Sequence, residues 1–111
     1  MSLSALADAL QADLAPLHKL VLITLANEAD ADYCVVPYFP RLAQRCGIGE
    51  DDLGEVLQSL KFVGILEQTQ ELDWFAQSAG FLIRRDRIPY LEDMPDSPWT
   101  KDLRVVGGND G

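Results

Sequence analysis

At 111 residues the chain has room for one domain, and with 48% of its residues apolar it can build a core of ordinary size. Its formal charge of −9 argues against a passive phosphate-coating role and favours solubility or a basic partner. The acidity runs throughout, with 4 basic and 9 acidic groups in residues 1–63 and 5 and 9 in residues 64–111.

No apolar run reaches the roughly 18 residues that a membrane span needs. The start, MSLSALADAL, lacks the basic and long apolar regions of a secretory signal, so cytoplasmic residence is expected. Leu3, Leu6, Ala7, Leu10 and Leu14 mark an amphipathic helix within residues 1–14, with Ser2 or Ser4 as its cap. It packs on the domain or pairs with a second copy of itself as a homodimer. Pro16 suits the first turn of a second helix, in which Leu17, Leu20, Val21, Thr24 and Leu25 form a stripe widened by Leu22 and Ile23. His18, the single histidine, has no Cys or His cluster near it and reads as an ordinary surface or core residue.

Residues 27–38 connect this helix to the next. Asp30 and Asp32 read as turn formers, because the ligand pattern of a calcium loop does not follow them. Tyr33–Val36 is a short β-prone run ending at Pro37. Cys34 and Cys46 allow a disulfide, but Cys46 falls on the inward face of a helix, which favours two buried free thiols in a reducing compartment.

The stretch from Pro40 to Gly64 reads as a helix-turn-helix. Leu42, Ala43 and Cys46 share one face of its first helix, Gly47 supplies the positive φ of the turn, and Ile48 drops into the core. Leu53, Val56, Leu57, Leu60 and Val63 form the inward stripe of its second helix, and Gly64 lies where a C-cap belongs. The outward positions are Glu50, Asp51, Asp52, Gly54, Glu55, Gln58 and Ser59, four carboxylates in seven and no base. The second helix of such a unit normally enters the DNA major groove, where phosphate contact supplies affinity. This face would repel phosphate.

After Gly64, residues 65–70 look like a strand, residues 71–79 like a loop or hairpin tip holding Trp74 and Phe75, and FLIRRDRI after Gly80 like a second strand. These two strands are read as a wing carrying Arg84, Arg85 and Arg87, which either meet a ligand or pair with Asp73, Asp86 and Glu92. The resulting organisation is an N-terminal helix in 1–14, a winged helix-turn-helix in 15–88, and an extended acidic tail in 89–111, mainly α with a small β wing. In the tail, Tyr90, Met94 and Trp99 are apolar anchors for the domain or for a partner, and the last residues, GGNDG, read as disordered.

The segment from Leu17 to Leu66 resembles the winged helix-turn-helix domain of phage and plasmid replication proteins and related bacterial regulators. The resemblance is carried by Lys19–Asn27, Leu42-Ala43, Gly47-Ile48 and the Val56-Leu57, Leu60, Gly64-Ile65-Leu66 frame, about half of the chain. It implies a DNA-binding module of replication or transcription. The family's recognition helix usually begins with Ser followed by Arg, Lys or Thr. Gly49 stands at the Ser position here, followed by Glu50 and Asp51, with Glu55 at a later exposed position.

Two functions compete. In one, the domain binds DNA through Arg84, Arg85 and Arg87, with Arg41 and Arg45 in support. In the other, Glu50, Asp51, Asp52 and Glu55, joined by Trp74 and Trp99, meet a basic nucleic-acid-binding protein, making the domain a DNA mimic or inhibitor of viral or mobile-element character. No catalytic, metal or cofactor site is expected, since the sequence has no metal-ligand cluster, phosphate loop or Ser/His/Asp set.

Overall fold

The computed structural model describes residues 3–91. Four helices and a three-stranded antiparallel sheet form an α+β domain: α1 (Leu3–Leu10), α2 (Pro16–Glu28), β1 (Cys34–Val35), α3 (Phe39–Cys46), α4 (Glu50–Phe62), β2 (Leu66–Asp73) and β3 (Ser78–Ile83). The sheet order is β1-β3-β2, with Cys34 opposite Leu82 and Leu66 opposite Ile83. Among the described residues, no helix is long and apolar enough to cross a membrane.

The core is built where the helical and strand periodicities converge. Val21, Leu22, Leu25 and Ala26 from α2 meet Leu42, Ala43 and Cys46 from α3 and Leu53, Val56, Leu57 and Leu60 from α4. Val35, Ile65, Leu66, Phe81 and Ile83 close it from the sheet side.

Helices α3 and α4 end in the same way. Gly47 at φ 70° lets the Ile48 N–H reach back to the Ala43 carbonyl and its own N–H to the Gln44 carbonyl. Gly64 at φ 87° does the same for Ile65 onto Leu60 and for itself onto Lys61. Both are Schellman closures, in which a left-handed residue satisfies the last carbonyls, and glycine takes that conformation without a Cβ clash. The chain is thereby turned twice at fixed angles, and α4 ends where β2 begins.

Several expectations are corrected. The expected N-terminal stripe is only partly turned inward: Leu3 is 74% and Leu10 48% exposed, Ala7 is exposed, Leu6 and Leu14 are half-buried, and the fully buried residues are Ala5, Ala9 and Ala12. These alanines recur at i, i+4 and i+7, and small side chains allow close approach between helices. Leu20 on α2 and Val63 after α4 are likewise exposed. The cysteines are free, with Cys46 buried but Cys34 only half-buried. The hairpin strands are longer at the tip and shorter at the base than the sequence implies. β2 runs on to Asp73, β3 starts at Ser78, and the strand ends at Ile83, so Arg84, Arg85 and Arg87 lie beyond it, the last two in a 3-10 turn. Of the tail, 89–91 is described: the Asp13 N–H donates to the Pro89 carbonyl, and the Leu91 N–H to the Gln11 carbonyl. Ser2, Glu92, Met94, Trp99 and the final GGNDG lie outside the described residues.

Candidate functional site

Helix α4 spans thirteen residues, about 20 Å, and its two ends have opposite chemistry. At the start, Gly49 is the cap residue and offers no side chain to the free N–H groups. Glu50, Asp51 and Asp52 fill the first turn, where carboxylates stabilise the helix dipole by roughly 0.3–1 kcal/mol each. These three and Glu55 are exposed, and none forms an ion pair with any described residue.

Beside this end runs an apolar groove of about 240 Å³ between α4 and the β2–β3 hairpin. Leu53, Leu57, Phe39, Leu72, Ala79 and Phe81 line it, with Glu50 at one end. At the other end the Lys61 ammonium donates to the Gln68 side-chain carbonyl at 2.7 Å, tying helix to hairpin. Gly54 also borders the groove, and a Cβ placed there would meet nothing within 4 Å. Glycine inside a helix is unfavourable by roughly 0.5–1 kcal/mol relative to alanine. No packing constraint in the domain accounts for it.

The hairpin turn beyond Leu72 is held open and aromatic. The Asp73 carboxylate accepts the N–H groups of Phe75 (2.9 Å) and Ala76 (3.1 Å), an Asx turn. The Phe39 N–H donates to the Gln77 carbonyl, anchoring the turn to the start of α3. Trp74 (80%) and Phe75 (101%) project into solvent.

At the hairpin base the charged groups face one another. Arg84 reaches Asp86 at 2.9 Å and Glu67 at 3.4 Å, and its hydrogen bond holds the Asp86 carboxyl below the usual range. Arg85 lies 3.7 Å from Asp8 on α1 and 5.5 Å over the Tyr33 ring. The Tyr33 hydroxyl donates to the same Asp8 carboxylate at 2.8 Å, and that bond, followed by burial, pushes its phenol pKa up. The Tyr90 hydroxyl donates to the Arg85 carbonyl, and burial raises its pKa too. Arg87 lays its stem against Gly64.

The two remaining candidate arginines are on α3. Arg45 is 3.6 Å from Glu28, and Arg41 lies 5.8 Å over the Tyr38 ring. The five arginines are therefore not gathered on one ridge. The four acids and Trp74, by contrast, belong to α4 and the adjoining hairpin, and Trp99 lies outside the described residues. A smaller cleft on the α2 side of α4 is lined by His18, Asp52 and Glu55, and His18 Nδ1 is buried without a hydrogen-bond partner among the described residues. Among the described residues, no three His, Cys, Asp or Glu side chains are grouped to hold a metal. Asp30 is occupied by its own turn, accepting the N–H groups of Asp32 and Cys34.

Sequence reasoning missed the groove and the Asp8–Tyr33–Arg85 cluster, since each joins segments far apart in the chain. Gly54 was the one local signal, a glycine in the middle of an otherwise regular helical pattern. Comparisons with protein-family models, with curated proteins and with solved structures give no match.

Proposed function

We propose that this domain is a winged helix-turn-helix, with α3 and α4 as the helical pair and β2–β3 as the wing, used to contact a basic protein. The partner class is a nucleic-acid-binding protein, whose phosphate-binding surface complements the carboxylates of α4. The domain then acts as a DNA mimic or inhibitor, and does no chemistry of its own. The observation that carries this reading is the unequal use of charge. Glu50, Asp51, Asp52 and Glu55 stand exposed and form no ion pair among the described residues, while Arg84, Arg85 and Arg45 are turned to the protein's own carboxylates. Acids paired internally would be neutral to a partner, and a phosphate backbone would meet this helix with repulsion.

A second reading, a replication or transcription module binding duplex DNA, is favoured by Arg41 and Arg87, which form no ion pair among the described residues. Lys61, Arg84 and Arg87 also share a shallow cleft at the far end of α4. A gel shift with random-sequence duplex DNA at low salt separates the two. The protein-contact reading expects no shift up to about 100 µM protein, the weak limit of ordinary non-specific binding. A shift that fades steeply with salt and is lost in Arg84→Glu/Arg87→Glu establishes DNA as the ligand instead.

A further inference from the structure

We infer that the groove between α4 and the hairpin is an anchor pocket for one bulky apolar side chain, Leu or Phe in size, carried on a basic segment of the partner protein. The inference rests on the reading of α4 as a protein-contact surface and adds what gives that contact its specificity. Size is the first argument. A cavity of about 150 Å³ holds a benzene ring, whereas small-molecule sites usually run from about 300 to 1,000 Å³. At about 240 Å³ the groove fits a single side chain better than a cofactor or metabolite.

Lining and charge make the second argument. Leu53, Leu57, Leu72 and Phe81 offer an apolar floor, and the hydrogen-bonded Lys61 and Gln68 lie at one end. Glu50 stands at the other, with Asp51 next to it and the exposed Trp74 and Phe75 on the turn just past Leu72. An apolar anchor entering the groove therefore has carboxylates and aromatic faces for cations flanking it in sequence, and aromatic faces attract Lys and Arg. Anchors buried in desolvated pockets, ringed by contacts that exclude water, are where interfaces usually concentrate their binding energy.

Gly54 is the third. It forgoes helix stability without relieving any contact among the described residues, and it lines the groove. A groove wall without a side chain leaves room for something that comes in from outside.

The test uses fluorescein-labelled twelve-residue peptides of Lys, Arg and Ser with Leu, Phe or Ala at one central position, titrated with the full chain at low salt. Binding by fluorescence polarisation should be about tenfold or more tighter for the Leu or Phe peptide than for the Ala peptide, the usual effect of burying such a side chain. Gly54→Leu should erase that preference, bringing the Leu and Phe peptides to the affinity of the Ala peptide. Gly54→Ala, which should raise the melting temperature, should reduce the preference in part, so loss of binding cannot be put down to unfolding. Equal affinity for all peptides, weakened by Asp51→Lys/Glu55→Lys, overturns the pocket and leaves the acidic-face reading standing. A preference that survives Gly54→Leu also overturns the pocket. No binding of any peptide by the native chain overturns both.

Discussion

Asp8 at the hairpin base is shared by the Tyr33 hydroxyl and the Arg85 guanidinium, and Arg84 is gripped by Asp86 and Glu67. Glu50, Asp51, Asp52 and Glu55 on α4, and the aromatic pair Trp74 and Phe75 on the hairpin turn, have no such partners among the described residues. Carboxylates and rings occur in both regions, but in one they join α1 to the end of the sheet and in the other they stay exposed, with no ion pair to any described residue. Charge alone therefore does not mark a functional surface. What marks it is charge that the fold has not used, beside apolar surface that it has not covered.

Substitutions can break or sharpen this contrast. The largest effect on stability is expected from Asp8→Ala, which strands the Tyr33 hydroxyl and frees Arg85. Urea denaturation should show a loss of about 1–3 kcal/mol. An unchanged midpoint would mean that the base cluster is as dispensable as the acidic face. Gly54→Ala should act in the opposite direction, stabilising the domain by roughly 0.5–1 kcal/mol. A loss instead would show that the glycine serves the domain's own packing.

Glu55→Lys should leave stability within about 0.5 kcal/mol, as exposed substitutions usually do. Its thermal unfolding should overlay that of the native chain while its binding to a basic partner weakens.

The smallest effect concerns alkaline pH. The Tyr33 pKa is raised in the folded state, so the unfolded chain releases this proton first. The contribution is complete below about pH 10, the unfolded value, and is lost as pH rises through the folded one. Tyr90 acts in the same direction. Tyr33→Phe should therefore flatten, without abolishing, the fall in melting temperature above pH 10. No flattening would place the Tyr33 proton elsewhere than on the Asp8 bond.

The helical pair was legible because its signals are local. Leu53, Val56, Leu57 and Leu60 recur at the helical period, and Gly47 and Gly64 stand where only a left-handed residue closes the helix. The orientation of α1 was not legible, because its leucines outweigh its alanines in any hydrophobic pattern. The alanines are the fully buried residues all the same. The arginines misled for a related reason. Arg84, Arg85 and Arg87 continue a β-prone run, but the Arg87 N–H closes a turn onto the Arg84 carbonyl and the chain leaves the sheet after Ile83.

Composition and periodicity by themselves determined that the chain has an apolar core, two glycine-closed helices in succession, and a second helix whose outer face is acidic. These follow from forces acting within a few residues: side-chain burial at a fixed period, the backbone strain that glycine avoids, and the helix dipole that favours carboxylates in a first turn. Only the tertiary structure decided which charges are neutralised and where apolar surface stays open. Asp8 finds Tyr33 and Arg85 across 25 and 77 positions of chain, and the groove takes its walls from α3, α4 and both hairpin strands. Pairings of that kind depend on how whole elements pack, which no local pattern of residues records.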